Sequence, residues 1–214
     1  MTMNIWSYVR KFDSTAPEKH IELLIKEARN FIRKDRAVKV LDIGGGYLDR
    51  TKFFKDFGSV SVLDIKKGSK TDIVGSVLNL PIDNSNYDVV TLFMVLEHIE
   101  DPQKAIMEIA RVLKPKGLLL LTTVQYWHNH DCPKDYFRYT NEGLDYLVNQ
   151  TGFKVRKIWS LGGPVMVVFH AIELNLPSFW RKLFFLLTPI FSWLDKNSVG
   201  QDSVGWAIVA QKYK

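Results

Sequence analysis

The chain has 214 residues, 46% of them apolar, which is enough to build a sizeable core and excludes a disordered chain. One cysteine, Cys132, excludes an internal disulfide framework, and no repeat with a period of roughly 20–50 residues recurs. The formal net charge of +6 suits an anionic partner, but Arg33, Lys34, Arg36 and Lys39, then Lys66, Lys67 and Lys70, then Lys154, Arg156 and Lys157 are scattered clusters that read as solvated faces.

Thr15-Ala-Pro-Glu18 has the form of a capping box, and Ile21, Leu24, Ile25, Ala28, Phe31 and Ile32 follow at spacings of three and four, which predicts an amphipathic helix over about residues 16–35. Val38 to Asp42 is a short strand running into three glycines. Residues 49–57 read as a helix ended near Gly58, Ser59 to Asp64 as a second strand, and Asp72 to Gly75 as a weaker third. Tyr87 to Phe93 is apolar enough to be buried on both faces. Asp101-Pro102 starts a helix whose buried stripe is Ala105, Ile106, Ile109, Ala110 and Leu113. Lys114 to Gly117 is a turn, and Leu118 to Val124 a fifth strand. Thr140 caps a helix that Gly152 stops, and Phe153 to Leu161 and Ser203 to Lys212 are two final strands. Strand and helix alternate, which predicts one α/β domain with a largely parallel sheet.

Gly44-Gly45-Gly46 lies between the first strand and the next helix. A sharp turn there needs positive φ, and missing side chains let a ligand approach the backbone. Asp64 ends the second strand, where a carboxylate can accept both ribose hydroxyls of an adenosine. The dinucleotide fingerprint G-x-G-x-x-G fails, because Asp49 stands in place of its third glycine and repels pyrophosphate. Asp42, just before the bend, favours a cation. S-adenosylmethionine, a sulfonium with an α-amino group and no phosphate, meets that requirement.

Val40-Leu-Asp-Ile-Gly-Gly-Gly46 resembles the first motif of class I S-adenosylmethionine-dependent methyltransferases, and Val62-Leu-Asp-Ile65 the second. Leu80-Pro81, Tyr87-Asp-Val-Val90, Val95-Leu-Glu-His98 with Asp101-Pro102, and Arg111 to Gly117 are similar to later signatures of the small-molecule subgroup called the methyltransferase-11 type. The resemblance covers roughly residues 37–125, and Asp135 to Thr140 with Gly152-Phe153 extends it. It implies a Rossmann-like fold with a seven-stranded, mostly parallel sheet flanked by helices, and S-adenosylmethionine as cofactor. Carried over by position, it puts Asp42 and the Gly44, Gly45 and Gly46 backbone at the methionine part and Asp64 at the ribose. Ile65 and Leu78 fall on the adenine faces, Ser76 and Val77 at its edge, and the Phe93 carbonyl near the amino group. The sequence departs from the family at Leu48, where a third glycine belongs, and at Ser76, where an acid is common.

Methyl transfer to oxygen needs alignment and a base, which contributes about 10²–10⁴-fold. Glu97 and His98 follow strand four; His128, His130, Asp135, Tyr136 and Arg138 follow strand five. His130 is the first candidate base and His128 the second, with Tyr136 as a further catalytic candidate and His98 and Arg138 lining the acceptor pocket. Glu97, His98, His128 and His130 contain metal-ligand types, but a related RNA-methylating family's E-x-x-E-H motif would need an acid at Met94, so no metal is expected.

Between the last two strands, residues 162–202 form an apolar insert that a minimal fold of this type does not need. Leu183 to Leu194 is uncharged but too short to span a bilayer and is interrupted by Pro189. Arg181, Lys182 and flanking tryptophans suit a peripheral membrane contact through residues 165–195; a lid over the acceptor or an oligomer face are the other readings. The expected organisation is an N-terminal helical segment at 1–36, a methyltransferase domain at 37–161 and 203–214, and the insert. Met1 to Arg10 holds no apolar run of signal-peptide length, so a cytoplasmic setting is expected, at the inner face of the membrane if the insert binds it. The function expected is methyl transfer from S-adenosylmethionine to an oxygen, less readily a nitrogen, of a small-molecule, sugar or lipid-linked acceptor, with no nucleic acid partner. The competing readings are a non-catalytic membrane scaffold with a degenerate pocket and a nicotinamide-dependent dehydrogenase.

Overall fold

Val38–Ile43 (β1), Tyr87–Phe93 (β4) and Leu113–Val124 (β5) are the apolar runs of the sequence, and in the computed structural model they form the middle of the sheet, where both faces are covered. The structure describes residues 17–32, 37–46, 50–54, 58–130, 134–198 and 201–213. Thr15, Arg33, Lys34, Arg36, Leu48, Asp49 and Cys132, singled out above, lie outside them. With Gly58–Asp64 (β2), Ile73–Val74 (β3), Phe153–Ser160 (β6) and Gly205–Lys212 (β7), the seven strands run in the order β3-β2-β1-β4-β5-β7-β6. β1 pairs in parallel with β2 and β4, β2 with β3, and β4 with β5, while β7 is antiparallel to both β5 and β6. This is the expected sheet, with one reversed strand.

Alternate residues of each strand feed two cores. On one face, Leu41, Ile43, Val90 and Leu92 pack with Ala105, Ile106, Ile109 and Val112 of α2 (Pro102–Val112) and with Leu144 and Val148 of α3 (Asn141–Gln150). On the other, Val38, Val40, Val89, Leu118 and Leu120 pack with Ile21, Leu24, Ile25 and Ala28 of α1 (Pro17–Ala28). Each such side chain contributes about 1.5–3 kcal/mol of burial, and side chains from both faces hold the strand ends that carry the site. Asp101 caps α2 and Thr140 caps α3 by accepting the Lys104 and Gly143 N–H groups.

Three boundaries differ from the sequence reading. The first helix stops at Ala28, after which Asn30 and Phe31 N–H groups bond three residues back, tightening the last turn. Of the helix expected over 49–57, the described part is a single 3₁₀ turn, Thr51–Phe54. The Lys114 to Gly117 turn lies within β5 as a bulge: Tyr87 pairs with Leu113 and Val89 with Leu118, and Lys116 takes φ +63°.

The insert folds into three helices, α4 (Pro164–Asn175), α5 (Ser178–Phe185) and α6 (Thr188–Lys196), because Pro177 stops the first and Pro189 sits in the first turn of the third. The Asp195 carboxylate of α6 accepts the Gly163 and Met166 N–H groups at 2.6 and 3.0 Å and so caps α4. Met166, Phe169 and Val204 are its buried centre, with Phe184, Phe185, Phe191 and Trp127 around them. Among the described residues no helix is long and apolar enough to cross a membrane.

Candidate active site

β1 delivers Asp42 to the carboxyl edge of the sheet and β2 delivers Asp64, with the triple-glycine bend between them. Gly44 has φ +78°, and a Cβ added there would lie 2.5 Å from Val95 Cγ2. A Cβ on Gly45 would lie 2.2 Å from Asp42 Oδ2, and one on Gly46 2.9 Å from Asp64 Oδ2. The bend is therefore glycine because the side chains of Val95, Asp42, Thr71 and Asp64 close on it. Asp64 Oδ2 accepts the Gly46 N–H and Oδ1 the Lys66 N–H, both at 3.1 Å.

Asp42 is fully buried. Thr91 Oγ1 donates to its Oδ1 at 2.7 Å, whereas Oδ2 has no partner among the described residues. Burial pushes this carboxyl above the ordinary range, against the opposing pull of Arg50 and Thr91. Arg50 reaches Asp42 Oδ1 at 3.5 Å and the Phe93 carbonyl at 3.4 Å, both at the long limit of a hydrogen bond. The strand-end acid and the carbonyl expected at a ligand's amino group are thus bridged by a cationic side chain of the chain itself.

On the far side of Asp64, Ile65 is 61% exposed. Ser76, Val77 and Leu78 form a tight turn in which Ser76 Oγ accepts the Leu78 N–H at 3.2 Å. The turn is anchored from behind by α2: Glu108 accepts the Leu80 N–H, and Arg111 donates to the Leu80 and Ile82 carbonyls.

The loops after β4 and β5 meet. Leu96–His98 is a 3₁₀ turn, and its Glu97 is fully buried, with Oε2 accepting from Thr123 Oγ1 at 2.8 Å and Oε1 unpartnered among the described residues. Burial pushes the Glu97 carboxyl up. His98 and His130 meet edge to face with ring centroids 4.8 Å apart, and His128 lies 5.6 Å from His130. Burial, then the charges of His130 and Arg138, hold the His128 imidazole below its ordinary value.

Arg138 and Tyr136 lie on the same loop. Arg138 commits all five N–H donors to the Trp127, His128 and Phe137 carbonyls and both Asp135 oxygens, so it clamps the loop and has no donor left for an acceptor. The same ion pair holds the Asp135 carboxyl far below the usual carboxylate range. Tyr136 is 42% exposed, and its backbone N–H is fixed on the Glu97 carbonyl.

Residues 41–121 match the family model described as a methyltransferase domain. Over those residues the chain is similar to methyltransferase domains. Among similar proteins, an uncharacterised protein of Methanocaldococcus jannaschii is 34% identical over 128 residues, 55% of this chain and 54% of that one. A ubiquinone/menaquinone biosynthesis C-methyltransferase of Idiomarina loihiensis is 34% identical over 106 residues, 40% and 42% of the two chains. The chain thus spans about half the length of the curated relatives it matches. The 1,6-didemethyltoxoflavin-N1-methyltransferase of Burkholderia thailandensis, solved with bound 1,6-didemethyltoxoflavin and S-adenosylhomocysteine, superposes with a TM-score of 0.63 at 13% identity, covering 93% of this chain and 79% of that one. That likeness is one of fold.

The carboxyl edge of the sheet has the chemistry to hold an adenosyl sulfonium. The buried Asp42 carboxylate has one oxygen unpartnered among the described residues and so can take a further donor, and Asp64 and exposed Ile65 present an acceptor and an apolar face side by side. The sequence reading missed Arg50, Thr91 and Thr123. The two threonines are polar residues inside apolar strands, which is a legible signal; what they bond to is decided across the sheet.

Proposed function

We propose that this protein transfers a methyl group from S-adenosylmethionine to an amphiphilic acceptor bearing an ionisable hydroxyl. The observation that carries the reading is the pair of carboxylates, Asp42 and Asp64, closing on the glycine bend at adjacent strand ends. In this reading Asp42 and the Phe93 carbonyl hold the amino-acid part after Arg50 swings aside, Asp64 grips the ribose, and Ile65, Leu78, Val77 and Ser76 border the adenine. The cofactor supplies the activated methyl group. The chain supplies alignment and a base: His130 Nε2 is the first candidate, since its Nδ1 lies 3.1 Å from the His128 carbonyl, and His128 is the second.

The acceptor class is inferred from the insert. Phe179, Trp180, Leu183, Ile190 and Trp193 are each more than half exposed on α5 and α6, beside Arg181 and Lys182, a composition that suits the boundary of an anionic membrane. Trp127, next to His128, packs into the insert's core and contacts His170 at 5.1 Å, so the apolar face and the acceptor loops are joined. The relatives' quinone-pathway name favours an acceptor ring whose hydroxyl ionises, and such a ring can take the methyl group on oxygen or carbon.

Calorimetric titration with S-adenosylhomocysteine tests the cofactor reading: wild type binds and Asp64→Ala does not. Equal binding by both, or none by wild type, overturns it. Labelled S-adenosylmethionine incubated with the protein and fractionated extract is expected to label the lipid-soluble pool; label confined to the aqueous pool would refute the acceptor class.

A further inference from the structure

At the meeting of the β4 and β5 loops, one atom each from Glu97, His98 and His130 lies within 4.8 Å of the other two. The two histidines are prepared in the same way. His98 Nδ1 is 2.6 Å from the Lys134 carbonyl, and His130 Nδ1 is 3.1 Å from the His128 carbonyl and 3.4 Å from Asp135 Oδ2. A carbonyl only accepts, so each Nδ1 carries a proton, and in the neutral imidazole the lone pair is then on Nε2. Fixing the tautomer through a carbonyl or carboxylate on the rear nitrogen is how proteins orient imidazoles that bind metals.

Glu97 completes the set. Its Oε2 is held by Thr123, while Oε1 is buried without a partner among the described residues, an arrangement that demands either a proton or a cation. We propose that Glu97, His98 and His130 bind a divalent transition-metal ion, of the zinc or manganese kind, at the acceptor end of the fold. One carboxylate and two imidazoles suit such borderline ions better than the oxygen-seeking magnesium and calcium. Ligand bonds of about 2.1 Å in a tetrahedral site set ligand atoms roughly 3.4 Å apart, so from 4.8 Å the widest pair has to close by about 1.4 Å, which the partly exposed His98 and His130 rings can do by rotation.

Three protein ligands leave positions open toward the acceptor. A hydroxyl bound there loses its proton more readily, so in the metal-bound protein the ion takes over the task assigned to His130, whose Nε2 is then a ligand and no longer a base. That role rests on the proposed methyl transfer; the binding itself does not.

The test therefore uses no methyl donor. The full chain, stripped with chelator, is titrated with Zn²⁺ and with Mn²⁺ by calorimetry, and with Co²⁺ by visible absorption. A single site is expected for Zn²⁺ or Mn²⁺, weakened at least about 10–100-fold by Glu97→Gln and by His130→Ala. Circular dichroism checks the fold, and should His130→Ala not fold, the near-isosteric Glu97→Gln decides. No binding of either ion, or binding that survives Glu97→Gln unchanged, overturns the site. Titration with S-adenosylhomocysteine on the same sample separates this outcome from failure of the methyltransferase reading.

Discussion

Asp42 and Thr91 are direct partners in the register of β1 and β4, and the Thr91 hydroxyl donates to Asp42 Oδ1 at 2.7 Å while Oδ2 stays unpartnered. Half of a buried carboxylate is thereby satisfied by the sheet and half is left for a ligand. Thr91→Val, nearly the same shape, removes the donor and leaves Oδ1 with only the long Arg50 contact. It is expected to cost about 1–3 kcal/mol in urea unfolding and to weaken S-adenosylhomocysteine binding. Unchanged stability would show that Asp42 is not held through Thr91.

The pH dependence of cofactor binding follows from the same carboxyl. Its folded value is raised by burial, so at acid pH it is protonated and cannot accept an ammonium charge. Affinity for S-adenosylhomocysteine is expected to rise with pH, release a proton in the rising limb, and level off above the folded value. Calorimetry in buffers of differing ionisation enthalpy reads the proton directly.

Gly45→Ala sets a Cβ 2.2 Å from Asp42 Oδ2, so either the bend or the carboxylate must move. S-adenosylhomocysteine affinity is expected to fall by at least about tenfold, equivalent to roughly 1.4 kcal/mol, with the melting temperature lowered. Gly152→Ala is the contrast: nothing lies within 4 Å, and only its φ of +94° resists, so it is expected to lower the melting temperature without changing cofactor affinity.

Glu108 and Arg111 tie the Ser76 to Leu80 turn to α2. Arg111→Ala frees the Leu80 and Ile82 carbonyls and Glu108 together, and a loss of about 2–3 kcal/mol is expected on denaturation. Hydrogen bonding from Arg111 lowers the Glu108 carboxyl from 4.5. Its stabilisation is therefore complete above that value and fades as the pH falls through the lower folded one. The wild type is expected to lose stability across that acid range more steeply than Arg111→Ala.

Trp180→Ser combined with Trp193→Ser removes exposed side chains that cover no core, at 57% and 64% exposure. Thermal stability is expected to change little, while co-sedimentation with phosphatidylserine vesicles falls. Wild-type protein that stays in the supernatant at low salt would remove the membrane reading.

The chain order of strands, the glycine bend and the acids at the ends of β1 and β2 were legible because each rests on local pattern: apolar runs, spacing and turn chemistry. The Lys114 to Gly117 bulge was readable as a turn but not as part of a strand, since only pairing with Tyr87 and Val89 fixes where the ladder resumes. Which polar groups face one another could not be read at all. Arg50 on Asp42 and Phe93, Thr123 on Glu97, Arg138 turned inward on its own loop, and His98 against His130 are contacts across strands and loops, set by register and packing. Periodicity tells which face a side chain takes; only the folded sheet decides what stands opposite it.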